Sequence, residues 1–296
     1  MAPNVLSKKD MTPSRLFAVS DLHLGYRANR EIADRIKPVG PDDWLLIAGD
    51  VSERVSDLEW VLRLLTSRFA RVVWVPGNHD LWTHASDPVA LRGEERYLHL
   101  VDVCRRAGVL TPEDPYEIFA GPAGPALIAP LFLLYDYTFL TPGTHSAAES
   151  LAYAYDTGIV CADEALLHPD PYPSRADWCK ARVAATEQRL TACDPSVPLI
   201  MVNHYPLIRE PTRVLRHPEF AQWCGTEATA DWHLRFHTAA VVYGHLHIPR
   251  TTWHDGVRFE EVSLGYPREW QARATQRPIP REVLPGPPAP DAGASG

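Results

Sequence analysis

Cysteine is scarce in this sequence, and the cysteines that occur are not arranged for metal binding or for paired disulfides. The chain of 296 residues has five cysteines, all widely spaced, and none of them forms a Cys-x-x-Cys pair. A thiolate zinc site and a CxxC redox motif are therefore not indicated. An odd number of cysteines also argues against a complete set of disulfides, so we expect a reducing compartment.

Long hydrophobic runs and an excess of basic residues are also missing. The first residues, MAPNVLSKKDMTPSRLF, contain no apolar segment of a signal peptide, and the longest apolar stretch, ALIAPLFLLY, is too short to span a bilayer. Lys and Arg number 29 against 37 Asp and Glu, which gives a formal net charge of -8. Because an acidic surface repels phosphate backbones, nucleic-acid binding is disfavoured. We therefore expect a soluble cytoplasmic protein that has no membrane partner.

Short apolar runs, by contrast, recur along the chain, and most of them are nearly continuous rather than alternating. The runs are RLFAVS, WLLIAG, RVVWVPG, ALIAPLFLL, PLIMVN, AAVVYG and VRFEEVSLG. Continuous runs are typical of strands that are covered on both faces, as in layered α/β folds. The sequence therefore predicts an α/β fold with strands buried between other layers.

Helical patterns and turns lie between these runs. Ser56 and Glu59 have the spacing of a capping box and predict a helix start, and Ser174 with Asp177 predicts a second one. The pair Asp255-Gly256 accepts positive φ and predicts a hairpin turn before VRFEEV. Helices placed between strands fit the same α/β fold class.

The chain divides into one folded domain and two ends of low structural content. We expect residues 1–14 to be flexible, residues 15–275 to form the domain, and residues 276–296 to be a disordered tail rich in Pro, Gly and Ala. Turn-rich segments from about residue 111 to 194, such as TPEDP, GPAGP and HPDPYPS, predict an insertion or lid within the domain.

Polar side chains follow five of the apolar runs, at the points where the predicted strands end. They are Asp21, His23, Asp50, Asn78, His79, Asp80, His204, His245 and His247. Carboxyl ends of strands in an α/β sheet share one edge, so residues far apart in the sequence can converge there. Carboxylates, an amide oxygen and several imidazoles without thiolate suit Mn²⁺, Zn²⁺ or iron. Asp50, with two carboxylate oxygens, could bridge two such ions.

Each of these residues also has a simpler explanation when it is taken alone. Asp21 could cap a turn, Asp50 could cap a helix, and Asn78 could be an ordinary turn residue. His204 could be a core histidine that bonds a backbone carbonyl. Their joint occurrence in order, each at a strand end, favours a site for two metal ions.

The order Asp-x-His, Gly-Asp, Gly-Asn-His-Asp, His and Gly-His-x-His resembles the motifs of the calcineurin-like metallophosphoesterases. The resemblance runs from Asp21 to about Gly265, and all five blocks are present. It implies the family fold, a four-layer α/β sandwich in which two mixed β-sheets are flanked by helices. The last acid of the third block is often Glu in the family, so Asp80 is a variant with a shorter reach.

The resemblance also implies how the site works. One metal ion would be held by Asp21, His23, Asp50 and His247, and the other by Asp50, Asn78, His204 and His245. His79 would stabilise or protonate the leaving oxygen, and Asp80 would orient His79. Two Mn, Fe or Zn ions with a bridging hydroxide would make the chain a metal-dependent phosphoesterase that hydrolyses a phosphodiester.

Within the family, the chain is similar to an actinobacterial subgroup that includes phosphopantetheinyl hydrolases. The similarity lies in SDLHLGYRANR, PDDWLLIAGDV and HPDPYPSRADWCKARVAATEQRL. It implies cleavage of the phosphodiester that joins 4'-phosphopantetheine to a serine of an acyl or peptidyl carrier protein, which would be the partner. Two alternatives stay open: a cyclic-nucleotide or other small-molecule phosphodiesterase or phosphatase, and a non-catalytic binding scaffold. The presence of all seven predicted ligands and of His79 disfavours the scaffold.

Overall fold

The computed structural model describes residues 13–85, 87–273, 275 and 277–287. In this part of the chain the strands are β1 (Leu16–Val19), β2 (Trp44–Ala48), β3 (Arg71–Val75), β4 (Glu117–Gly121), β5 (Gly124–Pro130), β6 (Leu199–Val202), β7 (Thr238–Tyr243), β8 (Arg250–His254), β9 (Val257–Glu261) and β10 (Arg281–Leu284). The α-helices are α1 (Arg27–Ala33), α2 (Val55–Thr66), α3 (Asn78–Leu81), α4 (Gly93–Arg106), α5 (Ala147–Asp156), α6 (Asp163–Leu166), α7 (Arg175–Thr191), α8 (Trp232–Arg235) and α9 (Pro267–Ala272). Short 3₁₀ helices span Glu210–Val214, Pro218–Trp223 and Glu227–Thr229. Across the described residues, no helix has the length and apolarity that crossing a membrane requires.

The strands form two mixed sheets in which the inner neighbours are parallel. The first sheet has the order β10-β1-β2-β3, with β10 antiparallel to β1. The second has the order β4-β5-β6-β7-β9-β8, with antiparallel strands at both edges. In the first sheet Val19 pairs with Ile47, and Ile47 pairs with Trp74. The loops after β1, β2 and β3 therefore leave the sheet at one edge.

Small and branched apolar side chains fill the space between the two sheets. The buried residues there include Leu16, Ala18, Leu46, Ala48, Val73 and Val75 from the first sheet and Ile128, Ile200, Val202, Ala240 and Val242 from the second. A second buried cluster joins the first sheet to α1, α2 and α4, and a third joins the second sheet to α7 and α8. The predicted four-layer α/β sandwich is therefore confirmed, and burial of both sheet faces explains the continuous apolar runs.

Two of the three local predictions are confirmed, and the third is wrong. The Ser174 side chain accepts a hydrogen bond from the Asp177 backbone N–H at 3.1 Å, so it caps α7 as predicted. The hairpin between β8 and β9 turns at Asp255-Gly256, with φ of 52° and 81°. The capping box at Ser56 does not form, because α2 already begins at Val55 and Ser56 lies inside its first turn.

The predicted insertion at residues 111–194 is too long, since two strands of the second sheet lie inside it. β4 pairs with β5, and β5 pairs with β6, so residues 117–130 belong to the core of the fold. The turn signal GPAGP marks the β4–β5 hairpin rather than a lid. Within residues 111–194, the chain leaves the sheet between β5 and β6, where it forms α5, α6 and α7.

The prediction of a disordered tail is wrong for the first part of that segment. Arg281–Leu284 form β10, which pairs with β1 at the edge of the first sheet. Val283 is fully buried, and Arg281 Nε forms an ion pair with Glu260 Oε2 at 2.9 Å. These contacts outweigh the Pro-rich composition around the strand, so the folded domain extends past residue 275. Residues 1–12, 276 and 288–296, which belong to the segments predicted to be flexible or disordered, lie outside the described residues.

Candidate active site

The predicted site residues lie in the loops that follow β1, β2, β3, β6 and β7. Backbone bonds tie two of these loops together, with Asp21 N donating to Gly49 O at 3.0 Å and His23 N donating to Asp50 O at 3.1 Å. Five of the seven predicted ligands have φ between 41° and 68°, namely Asp21, His23, Asp50, His245 and His247. Such values cost a non-glycine residue about 1–3 kcal/mol and persist where the surroundings hold them. The fold therefore concentrates backbone strain in this loop cluster, as functional sites do.

Asp21 and His247 form one side of the cluster. His247 Nε2 is 3.0 Å from Asp21 Oδ1 and 3.2 Å from His23 Nε2. The other oxygen of Asp21, Oδ2, accepts hydrogen bonds from the Ser263 hydroxyl at 2.7 Å and from His245 N at 3.1 Å. Asp21 is therefore held so that its remaining oxygen faces His247.

Asp50 and His204 form the other side. Asp50 Oδ2 is 3.4 Å from His204 Nε2, while Asp50 Oδ1 accepts a hydrogen bond from His79 N at 2.8 Å. His204 Nε2 is also 3.1 Å from Asn78 Oδ1. The rings of His204 and His245 are 5.1 Å apart between centroids. The structure thus brings all seven predicted ligands into one cluster.

The chemistry of this cluster fits metal ions. Three groups of ligand atoms each lie within 4.8 Å of one another, namely those of Asp21, His23 and His247, of His23, Asp50 and His79, and of Asp21, Asp50 and His204. His23 Nδ1 and His245 Nε2 are buried and find no hydrogen-bond partner within the described part of the chain. A buried polar atom is costly unless a partner satisfies it. Carboxylate oxygens and imidazole nitrogens are donors that Mn, Fe and Zn accept.

The electrostatics of the cluster also favours cation binding. Burial, together with the neighbouring histidines, lowers the pKa of His23 and of His245 to about 3, so both imidazoles are neutral. Burial alone would raise the pKa of Asp50, but the charge on His204 outweighs it and lowers that pKa. Although burial lowers the pKa of His204, the Asp50 carboxylate raises it to about 9. Because a metal ion binds neutral imidazoles and ionised carboxylates, binding of a metal ion at His204 would release a proton.

Comparison with known proteins decides the family. Residues 14–249 match the family model for Calcineurin-like phosphoesterase. The chain belongs to the calcineurin-like phosphoesterase family. It is 54% identical over 272 residues to the acyl-carrier-protein phosphodiesterase PptH of Mycobacterium tuberculosis, covering 92% of this chain and 84% of that relative. It also matches the crystal structure of phosphopantetheinyl hydrolase (PptH) from Mycobacterium tuberculosis, with a TM-score of 0.91 and 53% identity over 95% of this chain and 99% of the other.

These matches confirm the resemblance that the motifs indicated. The chain is a metallophosphoesterase, a hydrolase that acts on phosphoric ester bonds. The predicted two-sheet architecture agrees with that of the solved relative. An enzyme is thereby favoured over the non-catalytic binding scaffold.

In this phosphoesterase, His79 is positioned by Glu53 rather than by Asp80. His79 Nδ1 is 2.7 Å from Glu53 Oε1, and His79 Nε2 is 3.3 Å from the Tyr266 hydroxyl. Asp80 instead accepts hydrogen bonds at 2.9–3.2 Å from the backbone N–H groups of Asp50, Val51, Ser52 and Gly77. The predicted role of Asp80 in orienting His79 is therefore wrong, because both of its oxygens are engaged by the backbone.

Asp163, at the start of α6, holds the side chain of Asn78 from behind. Asn78 Nδ2 donates to Asp163 Oδ1 at 2.9 Å, and Trp82 Nε1 donates to the same oxygen at 2.6 Å. With its amide nitrogen engaged there, Asn78 presents Oδ1 to His204. Burial raises the pKa of Asp163, and the two donors act against that rise. No sequence signal marks this residue, which stands 85 positions from Asn78.

Glu269 in α9 holds a second predicted ligand in the same way. Glu269 Oε2 is 2.7 Å from His247 Nδ1, so the opposite nitrogen of the ring faces Asp21. Carboxylates behind metal-binding imidazoles fix the ring orientation and raise ligand basicity. Sequence reasoning missed Glu269 and Glu53. Of these two residues, only Glu53 could have been suggested by the sequence, because it stands three residues after the predicted ligand Asp50 in the same loop.

Proposed function

We propose that the chain is a phosphodiesterase that works with two metal ions. The first ion would be held by Asp21, His23, Asp50 and His247, and the second by Asp50, Asn78, His204 and His245. Asp50 belongs to two of the groups of close ligand atoms, which supports a bridging role. When bound, Mn, Fe or Zn ions supply the Lewis acidity that activates water and neutralises charge on the phosphoryl group.

His79 would donate the proton that the leaving oxygen needs. Burial lowers the pKa of His79, but the Asp50 and Glu53 carboxylates outweigh it and raise that pKa above its ordinary value. Glu53 at Nδ1 leaves Nε2 on the side of Tyr266. His79, Trp82 and Tyr266 line the same cleft, where a leaving group would lie. A positioned general acid contributes about 10²–10⁴-fold to the rate.

The substrate that we propose is the phosphodiester between 4'-phosphopantetheine and a serine of an acyl or peptidyl carrier protein. The observation that carries this proposal is the 54% identity, over 92% of the chain, to a relative named acyl-carrier-protein phosphodiesterase. Hydrolysis would break the bond from phosphorus to the serine oxygen and join a water oxygen to phosphorus. His79 would transfer a proton to the serine oxygen, and the proton that the attacking water loses to the solvent would balance the proton that His79 regains. The products would be 4'-phosphopantetheine and the apo carrier protein. The five free cysteines fit a cytoplasmic setting for this reaction.

The test is to incubate the Mn²⁺-loaded protein with a holo carrier protein and to measure the intact mass of the carrier. We expect loss of the phosphopantetheine arm, and we expect His79→Ala to slow this loss by about 10²-fold or more at unchanged metal content. Persistence of the holo mass, in a sample that hydrolyses bis(p-nitrophenyl) phosphate, would reject the carrier substrate. A panel of cyclic nucleotides would then identify a small-molecule phosphodiesterase.

A further inference from the structure

A second cleft adjoins the active-site cleft and shares one wall with it. The active-site cleft has a volume of about 430 Å³, and so has the second cleft. Four apolar residues line both clefts, namely Val160, Leu215, Phe220 and Leu246. The two clefts are therefore neighbours that meet at this shared wall.

The shared wall begins at a predicted metal ligand. The Phe220 ring stacks on the His245 ring, with 5.9 Å between centroids and 22° between the planes. Leu246 follows His245 directly in the chain and lines both clefts. A group held at the metal cluster would therefore lie next to an apolar surface that leads away from the reacting centre.

The second cleft, which we call the arm cleft, has no carboxylate among the described residues that line it. Besides the shared wall, its lining consists of Gly158, Ile159, Arg216, His217 and Ile248. Val160 on the shared wall is 66% exposed, although its side chain is entirely apolar. Contiguous apolar surface beside a site favours packing of a ligand, and the volume is in the range of about 300–1,000 Å³ that ligand pockets have. A partly apolar ligand without positive charge suits such a cleft.

We propose that the arm cleft holds the pantetheine arm of the substrate, the uncharged chain attached to the phosphate. The inference rests on the proposed function, because it takes phosphopantetheine as the group removed. The arm carries two methyl groups on one carbon near the phosphate, followed by two amides and a thiol. With the phosphate at the metal cluster, the methyl groups would contact the shared wall, and the amides and thiol would extend into the arm cleft. The serine and its carrier protein would lie on the other side of the phosphorus.

The test compares substrates with and without the arm on the full, Mn²⁺-loaded chain. The substrates are holo carrier protein, the p-nitrophenyl ester of 4'-phosphopantetheine, and bis(p-nitrophenyl) phosphate, which has no arm. The readout is the ratio of kcat/KM for the phosphopantetheine ester to kcat/KM for bis(p-nitrophenyl) phosphate, so that general damage to the site cancels. Val160→Asp places a charge on the shared wall, and we expect this ratio to fall about 10-fold, mainly through KM.

Two further variants sharpen the comparison. Val160→Ile keeps the wall apolar and should retain the preference for the arm-bearing ester. Val39→Asp is the matched control, since Val39 is 62% exposed and lines neither cleft. The ratio for Val39→Asp should equal that of the wild-type chain.

The outcomes separate the arm cleft from the proposed function. An unchanged ratio in Val160→Asp would overturn the proposal that the arm cleft holds the arm. The proposed function would still stand if the chain hydrolyses the arm-bearing substrates. A loss confined to holo carrier protein would also overturn it, because the carrier surface and not the arm would then contact the wall. If the wild-type chain hydrolyses bis(p-nitrophenyl) phosphate but neither arm-bearing substrate, the proposed function fails and the arm cleft fails with it.

Discussion

Asp163→Ala removes the carboxylate that stands behind Asn78, the proposed ligand of the second metal ion. The lost oxygen accepts two hydrogen bonds, from Asn78 Nδ2 at 2.9 Å and from Trp82 Nε1 at 2.6 Å. Without that partner the Asn78 amide is free to rotate, and its NH₂ group then competes with Oδ1 for the position beside His204. We therefore expect the second metal site to weaken and the first to keep its affinity.

The size of the effect follows from the hydrogen bond that is lost. A buried donor left without a partner costs about 1–3 kcal/mol, and about 1.4 kcal/mol corresponds to a tenfold change in a binding constant. Loss of a partner behind a metal ligand typically costs about 10–100-fold in metal affinity. The two figures agree, so we expect the affinity of the second site to fall by about 10–100-fold. The orphaned Trp82 donor should also lower the free energy of unfolding, by about 1–3 kcal/mol.

Calorimetric titration of metal-free protein with Mn²⁺ would resolve the two sites, and elemental analysis after dialysis would count the bound ions. Asp156→Ala is the matched control, because Asp156 is an exposed aspartate at the end of α5, also between β5 and β6. It should bind both ions as the wild-type chain does. Two sites of wild-type affinity in folded Asp163→Ala would refute the reasoning, and so would an equal loss at both sites.

Four further predictions concern the partners of the site and the metals themselves. Glu53→Gln removes the negative charge at His79 Nδ1, so turnover of bis(p-nitrophenyl) phosphate should fall roughly 10-fold with unchanged metal content by elemental analysis; loss of metal would contradict this. Asp80→Asn weakens bonds to several backbone amides, so the free energy of unfolding in urea should fall by about 1–3 kcal/mol, and wild-type stability would count against it. Gly77→Ala would drive a Cβ into the Asp50 carboxylate and backbone N, so we expect elemental analysis to find metal lost, whereas full occupancy would show that the loop adapts. Chelation of the metal ions should lower Tm in scanning calorimetry, since a free metal concentration of about 100 times Kd adds about 2.7 kcal/mol to the free energy of unfolding. An unchanged Tm would mean that the ions do not bind the folded state preferentially.

The proposed ligands could be predicted from the sequence because each of them stands at the end of an apolar run. Runs of this kind are strands buried on both faces, and the carboxyl ends of parallel strands share an edge. Asp21, Asp50 and Asn78 follow β1, β2 and β3, which are paired in register. Sheet topology therefore converts a linear pattern into a cluster, and no contact between distant segments has to be known in advance.

The residues behind the ligands depend on such distant contacts, and the sequence analysis missed them. Asp163 contacts Asn78, which stands 85 positions earlier in the chain, from the segment that the sequence predicts to be an insertion or lid. The same limitation applies to β10, whose Pro-rich surroundings predict disorder. Its order comes from pairing with β1 and from the ion pair between Arg281 and Glu260. Composition reports local preference, whereas these elements are stabilised by partners elsewhere in the chain.

Asp80 shows that adjacency to the proposed catalytic imidazole of His79 does not identify the partner of that imidazole. Asp80 is the third residue of α3, and its carboxylate reaches back to the backbone N–H of Gly77, the N-cap residue. An acid at this position of a helix commonly caps the first turn, so the spacing favoured capping over orientation of His79. The same carboxylate also binds amides of the loop after β2, and it thereby fixes the distance between the β2 and β3 loops. Asp80→Asn should therefore change metal affinity and stability together, whereas Glu53→Gln should change turnover alone.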